Sequence, residues 1–202
     1  IALDTRLEPV GGRFGPEVGL ARTLGTAMAR ERLVLVKYAV DGSSLLDWAP
    51  DWDRQTAEVT GFPEFGPLYQ ELLAYIRQVQ MEVGPDCRLA AVFWMQGERD
   101  ARIPEAGAQY EARFVELIRR FREDLKMTGL PFLFGQVNPP AELYPAVDVV
   151  RAAQASVARQ IAGTWLVSTD GLSKWRDGVH YDTAGQVELG RRFADLFLEI
   201  EP

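Results

Sequence analysis

Asp177-Gly178-Val179-His180 contains the only histidine in a chain of 202 residues, three positions after a carboxylate. A turn over that spacing can fold the Asp177 carboxylate back onto the imidazole Nδ1–H. That contact fixes the tautomer, leaves Nε2 able to accept a proton, and stabilises the imidazolium once it forms. The pair reads as a general base with its orienting group; the plainer alternative is a surface histidine in a loop. Two more stretches set polar groups just past apolar runs. In WMQGERD (94–100), Gly97 permits a sharp turn where a strand stops, and the Gln96 amide is a donor suited to an oxyanion. Glu98, Arg99 and Asp100 follow as three adjacent charges, which a solvated loop with Arg99 paired to a carboxylate also explains. A glycosidase pair made of Glu98 and Asp100 is disfavoured, because carboxylates two apart in sequence seldom gain the separation and distinct environments it needs. In AVDGSSLLDW (39–48), a tight turn at Gly42 can offer backbone N–H groups to the same kind of oxyanion; an ordinary strand-to-loop turn is the alternative. Together these pieces supply a base, its orienter and two possible oxyanion donors, which is most of an acyl-transfer apparatus. No nucleophile is evident.

Such groups must be held by a frame, and the apolar pattern describes one. LVLVKYAV (33–40), LAAVFWM (89–95), LPFLFGQV (130–137) and TWLVST (164–169) are short, nearly continuous apolar runs. Runs of that kind suit buried strands of a parallel sheet covered on both faces. Between them lie helical stretches. In 105–126, Tyr110, Phe114, Leu117, Ile118, Phe121 and Leu125 recur at steps of three and four and make one apolar stripe. Residues 17–30, 67–83 and 148–162 read as further helices. A last helix is expected to open on a capping box of Thr183 and Gln186, with Leu189, Phe193, Leu196 and Phe197 facing the core. The alternation predicts a doubly wound α/β sandwich in a single domain over 1–202. Ligands of such sheets sit beyond the carboxyl ends of the strands, which makes the loops after Val40, Met95, Val137 and Thr169 the important ones; the first, second and fourth hold the unusual residues.

Bulk properties exclude other classes. A net charge of −7 argues against nucleic acid or an anionic membrane as partner. The single Cys87 cannot form an internal disulfide, and no cysteine–histidine cluster suggests a metal site. No apolar run is long enough to span a bilayer. The chain starts at Ile1, so its natural start is expected to lie elsewhere. Compartment and oligomeric state are not legible.

Four segments, in order, resemble the SGNH/GDSL hydrolase superfamily, in its sialate O-acetylesterase and acetylxylan esterase branch (carbohydrate esterase family 6). RFGPEVGLARTL (13–24) is similar to a Phe-Gly-Pro-Glu segment opening a helix. LVKYAVDGSSLLDW (35–48) is similar to the second block, often Gly-Gly-Thr-Ser-Leu. FWMQGERDA (93–101) is similar to Trp-x-Gln-Gly-Glu-Ser-Asp-Ala, and DGVHYDTAGQVELGRRFA (177–194) to the closing Asp-x-x-His block with its helix. The resemblance implies a flavodoxin-like three-layer α/β/α fold and a serine esterase that removes O-acetyl groups from a carbohydrate, without metal or cofactor. It implies His180 as base and then acid, Asp177 as its orienter, and Gln96 and Gly42 as oxyanion donors. Glu98 would order the active-site loop, Ser43 would line the oxyanion hole, and the Glu17 segment would be structural. Arg99 stands where a small Ser or Thr is usual, which would reshape the pocket or pair Arg99 with Asp100.

The family's nucleophile, the Ser of a Gly-Gln-Ser-Asn stretch after the first strand, has no counterpart among Ser43, Ser44, Ser156, Ser168 and Ser173. The first strand is accordingly expected to be missing, along with a segment carrying the serine. That would leave a gap of roughly 9–10 Å between strands 33–40 and 89–95. Rival readings are a non-catalytic carbohydrate-binding protein on the same scaffold and a general short-chain carboxylesterase. Trp48, Trp52 and Trp175 lie near the expected catalytic loops, where each could stack on a sugar ring or simply belong to the core.

Overall fold

The computed structural model describes residues 14–201, together with the backbone of Ala2–Thr5. Arg13, the first residue of the Phe-Gly-Pro-Glu segment, lies outside the described residues. The chain divides into two compact units, residues 1–39 with 167–202, and residues 40–166.

In the first unit, β1 (Ala2–Thr5) and β2 (Val34–Lys37) run parallel, in register from Ala2 opposite Val34 to Thr5 opposite Lys37. This corrects the expectation of a missing first strand. Four residues of mixed polarity are too short to show a strand's period of two, so β1 leaves no mark in the apolar pattern. Two helices complete the unit: α1 (Glu17–Ala27) and α7 (Thr183–Ile200). Their backbones touch. A Cβ placed on Gly190 would lie 2.0 Å from the Pro16 carbonyl oxygen and 2.5 Å from the Leu20 nitrogen, and one on Gly19 would lie 2.0 Å from the Val187 carbonyl oxygen. Glu17 accepts a hydrogen bond from Lys37 Nζ at 2.8 Å and another from the Gly15 N–H at 2.9 Å, tying the start of α1 to β2. The cap of α7 is Asp182, not Thr183. Asp182 Oδ1 accepts the Gly185 N–H at 2.9 Å, and Gln186 Oε1 is buried with no partner among the described residues, so no capping box forms. Asp caps a helix at least as well as Thr, and here it precedes the first helical residue.

The second unit is built on β3 (Val92–Trp94), β4 (Phe132–Gly135) and β5 (Thr164–Val167), in the order β3-β4-β5. β3 and β4 are parallel, with Val92 opposite Phe132 and Trp94 opposite Phe134. The pairings β1-β2 and β3-β4-β5 are those of the flavodoxin-like order 2-1-3-4-5. The helices of this unit are α2 (Arg54–Ala57), α3 (Leu68–Val83), α4 (Glu98–Arg102), α5 (Pro104–Asp124) and α6 (Val147–Gln160). The stripe read on α5 is its buried face, apart from the half-buried Leu125 just beyond its end. Phe114 packs edge-on against Phe134 with centroids 4.8 Å apart and against Phe132 at 5.9 Å, which clamps α5 onto β4. Truncating such a ring to alanine costs about 3–5 kcal/mol. The Arg122 guanidinium, at the far end of α5, donates to the carbonyls of Leu130, Ala162 and Gly163 at 3.1, 2.9 and 2.7 Å. It thereby fixes the chain just ahead of β4 and β5.

Candidate active site

In the second unit, the residues past β3 and those of the 40–48 turn meet around a buried carboxylate. Gly97 has φ +142°, and a Cβ there would lie 3.1 Å from Val137 Cγ1 and 3.2 Å from the Tyr110 hydroxyl. A glycine is therefore required both by the backbone and by the space, and it lets α4 begin at once. One helical turn after Gln96, α4 turns Asp100 inward, where it is fully buried. Its Oδ1 accepts the Ser44 hydroxyl at 2.8 Å, its Oδ2 accepts the Gln96 amide at 2.5 Å, and the Leu45 N–H is shared between the two oxygens at 3.2 Å each. Burial pushes the Asp100 carboxyl up to about 6, although the hydrogen bonds from Gln96, Ser44 and Leu45 favour its charged form. A second buried carboxylate, Asp47, accepts the Ser44 N–H at 2.8 Å and the Thr60 hydroxyl at 3.4 Å, and burial raises its pKa as well. Residues 43–47 are thus wrapped between two carboxylates.

Gln96 joins this cluster in a specific way. Its amide nitrogen donates to the Ser43 carbonyl at 3.0 Å and to Asp100, so both hydrogens of the NH₂ group have acceptors. Its Oε1 is buried with no partner among the described residues. Its backbone carbonyl accepts the Tyr110 hydroxyl at 2.9 Å and the Gln154 amide at 3.3 Å. In this arrangement the Gln96 side chain braces the 42–44 turn and keeps no hydrogen for an oxyanion. Gly42 takes φ +70°, and neither Gly42 nor Ser43 donates its backbone N–H to a described residue. A Cβ on Gly42 would meet nothing within 4 Å, so the turn borders open space. Glu98 opens α4. Arg99 does not pair with Asp100: it donates to the Thr60 carbonyl and lies 4.4 Å over the Phe62 ring. Neighbours on a helix point about 100° apart, so Arg99 and Asp100 face different surroundings.

In the first unit, residues 173–182 form a short hairpin closed by an antiparallel bridge between Lys174 and Tyr181. The Trp175 N–H donates to the His180 carbonyl at 2.8 Å. At the tip, Asp177 Oδ1 accepts the N–H groups of Val179 at 2.9 Å and His180 at 3.0 Å, while Oδ2 lies 2.7 Å from His180 Nδ1. The bond to His180 leads in holding the Asp177 carboxyl down at about 2, with the Val179 N–H adding to it. An ionised carboxylate only accepts, so Nδ1 carries the proton and Nε2 of the neutral ring is an acceptor. The His180 side chain is 68% exposed.

The serines are accounted for among the described residues. Ser43 Oγ donates to the Val40 carbonyl at 2.8 Å and accepts the Trp48 indole N–H at 2.9 Å. Ser44 is bound to Asp100, Ser156 donates to Glu111 at 2.8 Å, and Ser173 donates to Asp182. Ser168 Oγ accepts the Asp170 N–H at 3.2 Å. Of the tryptophans, Trp48 is 3% exposed and packs edge-on against Trp94, so it is core and not a sugar platform; Trp175 is 60% exposed. Among the described residues, no group of three His, Cys, Asp or Glu could hold a metal ion, and no helix is long and apolar enough to cross a membrane.

Sequence reasoning missed Asp100 and Asp47 as the supports of the turn. The available signal was the spacing of four between Gln96 and Asp100, one turn across a helix start capped at Gly97.

The chain is similar to a probable carbohydrate esterase of Arabidopsis thaliana, 30% identical over 186 residues, which are 91% of this chain and 63% of that protein. The chain thus spans less than two thirds of that relative's length. Its fold is similar to the crystal structure of an Arabidopsis thaliana protein, with TM-score 0.76 at 23% identity over 94% of this chain and 71% of that one. It is also similar to a carbohydrate esterase family 3 structure from Talaromyces cellulolyticus, with TM-score 0.56 at 11% identity over 93% and 91% of the two chains. Residues 4–199 match one family throughout, and the chain belongs to it: carbohydrate esterase, sialic acid-specific acetylesterase.

Proposed function

We propose that this protein is a carbohydrate O-acetylesterase of acetylxylan or sialate type that works through an acyl-enzyme. The observation that carries the reading is the 2.7 Å contact between His180 Nδ1 and Asp177, beside an exposed imidazole. Family membership supports a carbohydrate acetyl ester as the substrate. In the proposed reaction a serine hydroxyl attacks the acetyl carbonyl while its proton passes to His180 Nε2. The carbonyl oxygen becomes an oxyanion, for which the N–H groups of Gly42 and Ser43 are the proposed donors. The C–O bond to the sugar then breaks, the sugar oxygen takes the proton from His180, and the acetyl group stays on the serine. Water repeats the sequence and releases acetate. Asp177 stabilises the imidazolium each time it forms. The resemblance gave Gln96 to the oxyanion; because both of its amide hydrogens are engaged, we assign it to bracing the Ser43 carbonyl. Glu98 is assigned to ordering the start of α4, and Arg99 to holding the Thr60 stretch.

The reading requires a serine other than the five described above, and that requirement is testable. The full-length natural protein is treated with a serine-directed phosphonate, its intact mass is measured, and the adduct is mapped. One adduct on a further serine, with acetate released from an acetylated sugar, is the expected result. Binding of the acetylated sugar without adduct or acetate would replace the esterase with a carbohydrate-binding protein. A preference for long-chain acyl esters would favour a general carboxylesterase.

A further inference from the structure

The first unit carries an exposed aromatic that the proposed chemistry does not use. In the 173–182 hairpin, Lys174 and Tyr181 are the bridged pair, and Lys174 Nζ sits 5.4 Å over the Tyr181 ring, so these two side chains share one face. Side chains alternate along each arm, which puts the next opposed pair, Trp175 and His180, on the other face. Cross-strand partners have Cβ atoms roughly 4.5–5.5 Å apart. Exposure agrees with the alternation: Tyr181 is 7% exposed, while Trp175 is 60% exposed and the His180 side chain 68%. The bond from the Trp175 N–H to the His180 carbonyl and that from the Gly178 N–H to the Trp175 carbonyl at 3.0 Å hold the two residues in register. The Trp175 indole makes no hydrogen bond or ring contact with any described residue. Beside it lies an open cleft of about 410 Å³, lined by Lys174, Trp175, Arg176, Asp182, Thr183 and Ala184.

Exposure alone does not distinguish Trp175, since Met81 and Leu143 are more exposed still; its place does, because it is the exposed aromatic set in hairpin register with His180 and bordering a cleft. It suits a ligand with an apolar face and a hydroxylated rim, which is what a pyranose ring presents. We propose that Trp175 is the platform on which the sugar ring of the substrate stacks, with the polar side chains of the adjoining cleft meeting the ring's hydroxyl groups. This inference rests on the esterase reading for the identity of the substrate. It makes Trp175 a specificity residue: it acts on the sugar, not on the acetyl group.

The test uses the full-length protein, its Trp175→Ala variant and its Trp175→Phe variant. Binding of a partially O-acetylated xylo-oligosaccharide is titrated calorimetrically, and hydrolysis of the same sugar and of p-nitrophenyl acetate is followed. The expected result is an alanine variant with KM and Kd for the sugar raised about tenfold or more, a much smaller loss on p-nitrophenyl acetate than on the sugar, and partial recovery with phenylalanine. Equal sugar binding by all three proteins overturns the proposal. So does a parallel fall on both esters, which would make Trp175 a support of the His180 hairpin. Sugar binding lost in the alanine variant, in a protein that turns over neither ester, would retain the platform and reject the esterase.

Discussion

Replacing Asp100 by asparagine separates the charge of the buried carboxylate from its hydrogen bonds. In the folded chain its carboxyl is pushed up to about 6, against 3.8 in an unfolded one. At about 1.4 kcal/mol per pKa unit, this difference corresponds to about 3 kcal/mol. The sign follows from proton counting. The folded protein holds the Asp100 proton more tightly than the unfolded chain does. The contribution to stability is therefore complete below the unfolded value, declines as pH rises, and is gone above the folded value. The asparagine of the Asp100→Asn variant cannot ionise and lacks this decline. It does replace one acceptor oxygen by an NH₂ group that faces donors, the Leu45 N–H and the Gln96 amide, which costs about 1–3 kcal/mol at any pH. Wild type is accordingly expected to be the more stable protein at pH 4. Its advantage should shrink by roughly 2–3 kcal/mol on going to pH 7, where the two become similar or exchange order. Urea unfolding of both proteins at pH 4, 5, 6 and 7 gives the difference directly, since groups that titrate alike in both cancel. A difference that stays flat, or that grows with pH, would falsify the assignment of Asp100 as a carboxylate whose charge is penalised by burial.

Two further changes probe the first unit. His180→Asn is expected to lower kcat/KM on acetyl esters by about 10²–10⁴-fold with little change in Tm; a variant as active as wild type rules His180 out as the base. Gly190→Ala sets a methyl group against the backbone of α1 at Pro16 and Leu20, and about 1 kcal/mol of helix propensity will not offset an overlap that is backbone against backbone. A loss of roughly 2 kcal/mol or more in thermal or denaturant unfolding is expected, and a variant as stable as wild type would show that α1 and α7 do not cross at these glycines.

What could be read in advance follows from how local the signal is. The apolar runs around β2 to β5 announced their strands because each is nearly continuous, although the ladders are shorter than the runs: Val92–Trp94 stands for 89–95. β1 escaped because ALDT offers four residues of mixed character. The Asp177–His180 contact was legible because a single turn brings its two members together. Asp100 was not, because its partners Ser44 and Leu45 lie 56 and 55 residues away, and a run of Glu, Arg and Asp looks solvated until a helix divides it into faces. The tryptophans show the same limit. Trp48 and Trp175 both neighbour expected catalytic loops, yet the first donates its indole N–H to Ser43 inside the core and the second lies in solvent. Sequence distance from a motif carried no information on burial.

The retention of an ionisable group at Asp100 has a structural reason that an apolar substitute would not meet. Ser44 O–H, Leu45 N–H and the Gln96 amide all converge on it, and Ser44 is in turn fixed by Asp47 through its own N–H. An aliphatic residue would remove the desolvation penalty but leave those buried donors without acceptors, each at about 1–3 kcal/mol. One carboxylate with two oxygens satisfies all three, and in doing so it fixes the peptides from Ser43 to Leu45. The Ser43 carbonyl is held by Gln96 and its hydroxyl by Val40 and Trp48. Among the backbone donors of the turn, the N–H groups of Gly42 and Ser43 meet no described acceptor, and open space lies next to Gly42. A buried charge that destabilises the folded state at neutral pH is thus coupled to a turn whose remaining donors are held in place beforehand, which is the preorganisation that the proposed oxyanion role demands.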